Sequence, residues 1–336
     1  MLSNLLIPAV LFFALGFFAK LIKSDLRFPP DLAKALSIYL LVAIGLHGGY
    51  ELGKADLLTA MNSVMWALFL GFGMPLIGYA ILVFSKKVDP MNAAAIAAHY
   101  GSVSAGTFLT AVAYLDSLQI EYDSYPVIML AVMESPAIVV GLLLAAWSRR
   151  RLAQKQGAPQ AEAGNGDEHD RNKLTHILRE AFTNGSVVLL LGSMVIGAVA
   201  APQSMAKIKP FIEDIFMGVL CLFLLEMGME AARRIGEFRR VGAVLIVFGV
   251  AMPVLGGMIG TLIGHEMLGF GVGGTLLVAV LAASASYIAV PPAMRLAVPE
   301  ASPSLYLTLS LGVTFPFNVV FGIPLYHMMV VMMVGA

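Results

Sequence analysis

Two pairs of serines lie in the middle of apolar stretches of the chain. Ser102 and Ser104 stand among glycine and alanine residues, and Ser284 and Ser286 precede a double proline. Glycine weakens a helix and proline removes a backbone donor, so each stretch predicts a helix that breaks. The second half of a broken helix begins with unpaired N–H groups, which bind small anions together with hydroxyl donors. The pairs therefore predict a site for a small oxyanion, although small and hydroxyl residues also permit close helix packing.

A carboxylate and several neutral oxygen donors lie near these pairs along the chain. Glu134 stands in an apolar stretch just before Ser135 and Pro136, where a charge costs about 2.5–3.5 kcal/mol within a membrane. No Lys or Arg lies in the middle of such a stretch, so a proton or a bound cation must offset this cost. Neutral and carboxylate oxygens are the ligands that hard cations such as Na⁺ prefer. The sequence therefore predicts a sodium site formed by Thr107, Glu134, Thr314 and Asn318.

The composition indicates the kind of protein in which these residues must be placed. The chain has 336 residues, of which 59% are hydrophobic and 12% charged, whereas soluble domains carry about a quarter charged residues. With 21 basic and 21 acidic residues the net charge is zero, which argues against a nucleic-acid binder. The single cysteine, Cys221, excludes an intramolecular disulfide framework and a cysteine-based zinc cluster. The sequence predicts a polytopic membrane protein without a cofactor.

The hydropathy of the chain predicts ten membrane spans, since a span needs about 20 apolar residues. The first stretch has no basic region before it, so we expect it to be retained and not cleaved as a signal peptide. The fourth and ninth stretches contain the two serine pairs. The predicted spans are about 3–22, 32–50, 61–84, 91–114, 125–147, 183–201, 211–230, 241–263, 272–296 and 304–330.

Ten spans place both termini on one side of the membrane. With both termini outside, 18 of the 21 Lys and Arg residues fall on inner segments, and Lys54, Lys207 and Lys209 fall outside. Inner loops of membrane proteins carry the excess of Lys and Arg, so this orientation is predicted. The polar stretch 148–173 then lies in the cytoplasm. Its Ala, Gly, Gln and Glu content predicts a flexible linker, with a docking site for a regulator as the alternative.

The two halves of the chain share three short motifs in the same order. A Gly-x-Glu motif ends at Glu51 and again at Glu230, and a Met-Pro pair ends at Pro75 and again at Pro253. A Pro-x-x-Val-Val motif begins at Pro136 and again at Pro316. Each half has five spans, an odd number, so the second half is inserted upside down, as in many secondary transporters. The sequence thus predicts an all-α protein of two inverted five-helix repeats, 1–147 and 174–336, joined by the linker 148–173. Broken helices 4 and 9 are expected to cross at the midplane.

Three segments of the chain resemble signature segments of the sodium-dependent bicarbonate transporters of the SbtA type: HYGSVSA at 99–105, ASASYIA at 283–289 and GVTFPFN at 312–318. The resemblance implies symport of Na⁺ and bicarbonate into the cell across a bacterial plasma membrane, by a trimer whose subunits have core and gate domains. It also implies a PII-like regulator on the cytoplasmic face. Bicarbonate is expected at the crossing of the broken helices with Na⁺ close by, and the implied anion site falls on Gly101, Ser102, Ser104, Ser284, Ser286 and Tyr287.

Two other functions stay open from the sequence. A sodium-coupled carrier of another anion, such as the bile-acid-type symporters, has the same inverted repeats, but a large organic anion needs a wider apolar cavity. An intramembrane serine hydrolase would use Ser102 or Ser104 with His99. Neither serine stands in the Gly-x-Ser-x-Gly motif of a nucleophile elbow, so the sequence favours a transporter and not an enzyme.

Overall fold

The computed structural model of the chain describes residues 7–53, 56–155, 185–234 and 242–335, and every regular element within these ranges is helical. The helices are α1 (Pro8–Leu21), α2 (Pro30–Leu52), α3 (Leu57–Phe84), α4 (Pro90–Gly101), α5 (Ala105–Ser117), α6 (Tyr125–Lys155), α7 (Gly185–Val199), α8 (Pro202–Lys209), α9 (Phe216–Arg234), α10 (Ala243–Leu262), α11 (Val272–Ala283), α12 (Val290–Ala297) and α13 (Pro303–Val334).

Six helical segments among the described residues are long and apolar enough to cross a membrane: Asp31–Leu52, Leu57–Phe84, Tyr125–Leu152, Pro202–Arg234, Ala243–Met267 and Pro303–Val334. Shorter apolar helices occupy Pro8–Leu21, Val188–Val199 and Val272–Ala283. The chain is therefore an α-helical polytopic membrane protein, as its hydropathy predicts. Each of the ten predicted spans contains at least one helix, while ten membrane crossings stay a prediction.

Helix α6 continues beyond the predicted end of the fifth span and includes the first residues of the predicted linker. Two contacts stabilise this extension. The Arg151 guanidinium lies over the Trp147 ring at 4.4 Å, and Arg149 forms a bidentate pair with Glu300, with N–O distances of 2.8 and 2.7 Å. The remainder of the linker, 156–173, lies outside the described residues.

Local chemistry explains where several helices begin and bend. The Asp56 carboxylate accepts the Thr59 N–H at 2.9 Å and caps α3, and Asp89 caps α4 in the same way through the N–H groups of its first turn. A side-chain acceptor satisfies donors that the helix itself leaves unpaired. In α13 two π-helical turns, Thr308–Thr314 and Asn318–Gly322, flank the segment that contains Pro316, because proline cannot donate to the preceding turn.

The helices pack into two groups. The first, which we call the panel, consists of α1, α2, α7 and α9, with α1 against α9 and α2 against α7. The second, the core bundle, consists of α3, α4, α5, α6, α10, α11 and α13. Close approach within the panel depends on small residues: a Cβ on Gly16 would overlap the Leu225 carbonyl, and a Cβ on Gly228 would overlap the Phe13 carbonyl.

Candidate anion and sodium site

The fourth predicted span breaks at the first serine pair, as the sequence predicts. Helix α4 ends at Gly101, Ser102 is extended, and α5 begins after Ser104. Ser104 caps α5, because its Oγ accepts the Thr107 N–H at 3.2 Å and the Thr107 hydroxyl at 2.9 Å. The break therefore leaves a helix N-terminus, with its partial positive charge, next to Ser104.

The ninth predicted span breaks at the second serine pair, and the two breaks are in contact. Helix α11 ends before Ser284, which is extended. The Ser104 N–H donates to Ser284 Oγ at 3.0 Å, and the Ser286 N–H donates to the His99 carbonyl at 2.8 Å. Each break thus supplies a partner for a backbone donor that the other break leaves unpaired, which is how irregular backbone is tolerated inside a membrane protein.

A small cavity of ≈ 20 Å³ lies beside this contact, with room for about one water molecule. Three of the predicted anion residues and one predicted sodium residue line it together. The Tyr287 phenol oxygen is buried and has no hydrogen-bond partner. Sequence reasoning missed Ser37 of α2, which stands between Leu36 and Ile38. The lining residues are Ser37, Leu41, Val103, Ser104, Ala105, Leu130, Glu134, Leu190, Ser286, Tyr287 and Ile288.

Glu134 reaches this cavity from α6 of the core bundle. Its backbone carbonyl accepts the Ser102 hydroxyl at 3.3 Å, so the first break is also tied to α6. Thr107 lies beside Ser104 through the hydrogen bond between their hydroxyl groups. The structure therefore brings Glu134 and Thr107 to the two sides of the Ser102–Ser104 segment.

Of the four predicted sodium residues Glu134 alone lines the cavity; Thr107 is tied to it through Ser104, whereas Thr314 and Asn318 have partners elsewhere. Thr314 donates to the Gly249 carbonyl at 2.7 Å, so the Tyr100 hydroxyl, at 2.6 Å, donates to Thr314 Oγ1. The Asn318 amide donates to the Ala283 carbonyl at 2.8 Å. The Asn318 amide oxygen in turn accepts the Tyr326 hydroxyl at 2.8 Å. Both residues thus tie α13 to its neighbours, and Asn318 satisfies a carbonyl at the end of α11.

Gly101 has a packing role in the structure. A Cβ at this position would overlap the ring of Pro75 in α3. The resemblance places Gly101 in the anion site, where a larger residue would be expected to fill the site. The geometry indicates that it would instead force α4 away from α3.

A second, wider space lies between the panel and the core bundle, and we call it the vestibule. Its volume is ≈ 710 Å³. Helices α2 and α5 line both spaces. On α2, Leu41 lines the cavity and Ile44 lines the vestibule; on α5, Ser104 lines the cavity and Val112 lines the vestibule. The vestibule therefore lies along the same two helices as the cavity, toward the end of α5 at Asp116.

A comparison with protein families identifies the family of the chain. The model of the Na⁺-dependent bicarbonate transporter superfamily matches residues 8–331. The chain belongs to this superfamily. A comparison with curated proteins finds no match.

In this member of the Na⁺-dependent bicarbonate transporter superfamily, the serine–histidine pair of a hydrolase is not formed. His99 Nδ1 lies 2.7 Å from the Ala95 carbonyl, one helical turn earlier, and its Nε2 is buried without a partner. The ring stacks on Tyr306 at a centroid distance of 4.5 Å. Ser102 donates to the Glu134 carbonyl, and neither ring nitrogen of His99 is hydrogen-bonded to Ser102 or Ser104.

Proposed function

We propose that the protein is a secondary active transporter that couples the inward movement of bicarbonate to that of Na⁺ by alternating access. The observation that carries this proposal is the contact between the two breaks, with Ser104, Ser286, Tyr287 and Glu134 around one cavity. Membership of the superfamily supports sodium and bicarbonate as the transported species.

Bicarbonate is held mainly by neutral donors in this proposal. None of the residues that line the cavity is a Lys or Arg, so no side chain there pairs directly with the anion. The N-terminus of α5 contributes up to about 2 kcal/mol in a partly buried setting. Each hydrogen bond from a hydroxyl or N–H group to the charged ligand adds about 1.5–3 kcal/mol. Ser104, Ser286 and the unpaired phenol of Tyr287 are the donors that we assign to the anion.

Sodium supplies the balancing charge. A bicarbonate ion bound here, once the cavity has widened to admit it, would face the Glu134 carboxylate, and two negative charges in a medium of low dielectric repel each other strongly. A Na⁺ ion between them offsets this repulsion and the burial cost of Glu134. We assign Glu134 and Thr107 to the cation, and we treat Thr314 and Asn318 as residues that hold α13 in place.

Helix packing supports the inverted repeat on which alternating access depends. In the panel, α1 packs on α9 and α2 packs on α7. If repeat 174–336 is the inverted copy of 1–147, these two contacts are equivalent. Both rely on glycine, since a Cβ on Gly49 would overlap the Met194 carbonyl and a Cβ on Gly197 would overlap the Leu46 carbonyl. We propose ten spans with the broken helices crossing at the midplane, both termini outside and the panel as the gate.

Uptake of labelled bicarbonate by proteoliposomes tests this function. An inward Na⁺ gradient should accelerate uptake, and replacing Na⁺ by choline should abolish the acceleration. Uptake that ignores the gradient would exclude symport. A bile-acid-sized anion would need a far larger opening of the cavity than bicarbonate does, so an excess of a bile acid should not compete. The trimer, the PII-like regulator and the bacterial plasma membrane stay predictions from the resemblance.

A further inference from the structure

The vestibule lies along α2 and α5, the two helices that also line the small cavity. Its walls are the second half of α2, the second half of α5, the segment 119–124 that follows α5, and the segment 212–216 that leads into α9. Along α5, Val112 lies about 12 Å from Ser104 at 1.5 Å per residue. In the proposed function, an ion that moves between the cavity and this end of α5 passes the vestibule side chains.

The vestibule is acidic. Four carboxylates line it, namely Glu51, Asp116, Glu121 and Glu213. Such a wall concentrates Na⁺ and lowers the local concentration of a monovalent anion. Among the residues that line the vestibule, His47 is the single side chain that can carry a positive charge.

His47 lies between carboxylates of the panel and of the core bundle. Its Nδ1 is 3.7 Å from Glu213 Oε1, and both side chains are 39% exposed, so solvent reaches the pair. From the opposite wall, Asp116 is close enough to interact with His47 electrostatically. Burial raises the pKa of the Asp116 carboxyl, and the charge of His47 opposes that rise.

We propose that protonated His47 admits bicarbonate to the vestibule by offsetting its carboxylates, so that the apparent affinity for bicarbonate follows the charge of this histidine. The proposal rests on the symport function given above. Histidine is the side chain whose charge normally changes between about pH 5 and pH 8. A unit charge about 8 Å from the ion in water changes its local concentration about two- to threefold.

The other ionisable groups around His47 are the carboxylates of the vestibule and a few more distant side chains. Lys209 pairs with Glu213 at 3.3 Å, and Tyr122 lines the same wall. Helix α7, which packs on α2, has no ionisable residue. Helix α9 carries the Cys221 thiol and then Glu226, about 8 and 15 Å along the helix from Phe216 in the vestibule wall. Glu134, on α6, lines the small cavity instead.

The test uses the full chain in proteoliposomes with saturating Na⁺ and the same pH on both sides. The concentration of the bicarbonate ion, not of total inorganic carbon, is held equal from about pH 6 to about pH 8.5, the range that includes histidine titration. For the unmodified chain we expect the apparent KM for bicarbonate to rise about two- to threefold over this range.

Two substitutions separate charge from shape at this position. His47→Lys keeps the positive charge and should give a low KM that does not change with pH. His47→Gln removes the charge and should give a high KM that also does not change with pH. Asp116→Asn is the matched control on the facing wall, and its KM should still rise with pH.

The possible results distinguish the role of His47 from the symport function itself. Sodium-coupled uptake whose pH dependence is unchanged in both His47 variants would overturn the role of His47 and leave symport intact. A pH dependence that disappears in Asp116→Asn but persists in His47→Lys would assign the titration to Asp116 and would also overturn the proposal. Uptake without sodium coupling in the unmodified chain would instead reject the proposed function.

Discussion

Three serines at the break should respond differently to alanine, because the structure gives each a different partner. Ser286 lines the cavity, and its backbone N–H, which alanine keeps, makes the contact with His99. Ser104 lines the cavity and also caps α5. Ser284 is not among the lining residues, and its hydroxyl oxygen accepts the Ser104 N–H. The three alanine variants should therefore differ in how much bicarbonate affinity and how much stability each one loses.

The expected sizes follow from these contacts. Ser286→Ala should remove one hydrogen bond to a charged ligand, about 1.5–3 kcal/mol, and so weaken bicarbonate affinity on the order of tenfold or more. Ser104→Ala should cost a similar factor in affinity and about 1 kcal/mol of stability through the lost cap. Ser284→Ala should leave the buried Ser104 N–H without an acceptor, at about 1–3 kcal/mol of stability, with a smaller change in affinity.

Two measurements on each purified variant check this pattern: the bicarbonate concentration that half-saturates sodium-driven uptake, and the thermal unfolding midpoint in detergent. Ser310→Ala is the matched control, since Ser310 is buried and donates only to the Tyr306 carbonyl one turn earlier. It should leave uptake unchanged. If Ser286→Ala bound bicarbonate like the unmodified chain, or if all three variants lost only stability, the serines would not be anion donors.

Three further predictions concern the residues around the break. Gly101→Ala should reduce the yield of folded protein and its unfolding midpoint, because its Cβ would overlap Pro75; a stable variant with blocked uptake would instead support a site-filling effect. Glu134→Gln should weaken sodium activation of uptake more than bicarbonate affinity at saturating Na⁺, and the reverse order would remove Glu134 from the cation site. Thr314→Val should lower the free energy of unfolding by about 1–3 kcal/mol, since the buried Tyr100 hydroxyl loses its acceptor; a shifted sodium dependence without loss of stability would make Thr314 a sodium ligand.

The helices and their breaks could be predicted from the sequence because they depend on local signals. Apolar length gives the spans, and glycine, serine and proline mark the positions where a helix cannot continue. The structure confirms breaks at Ser102–Ser104 and after Ala283. The structure also shows that the helix of the fifth predicted span continues beyond its predicted end. The sequence does not indicate this extension, because one of the contacts that stabilise it joins Arg149 to Glu300, a residue far along the chain.

The membership of the candidate site could be predicted only in part, because it depends on which face of each helix is turned inward. Thr314 and Asn318 have the right oxygen chemistry for Na⁺, yet their partners are Gly249, Tyr100, Ala283 and Tyr326. Ser37 carries no distinguishing pattern in the sequence, and packing alone brings it to the cavity. Residue type indicates what a side chain can bind, whereas contacts between distant segments decide what it does bind.

The central claim is that bicarbonate is bound by neutral donors and that Na⁺ supplies the balancing charge beside Glu134. Calorimetric titration of bicarbonate into the purified protein, once in Na⁺ and once in choline at the same ionic strength and pH, tests this claim most directly. We expect affinity in the micromolar-to-millimolar range with Na⁺, about 4–8 kcal/mol of binding free energy, and a steep loss of affinity in choline. Equal bicarbonate affinity in the two solutions would contradict the account.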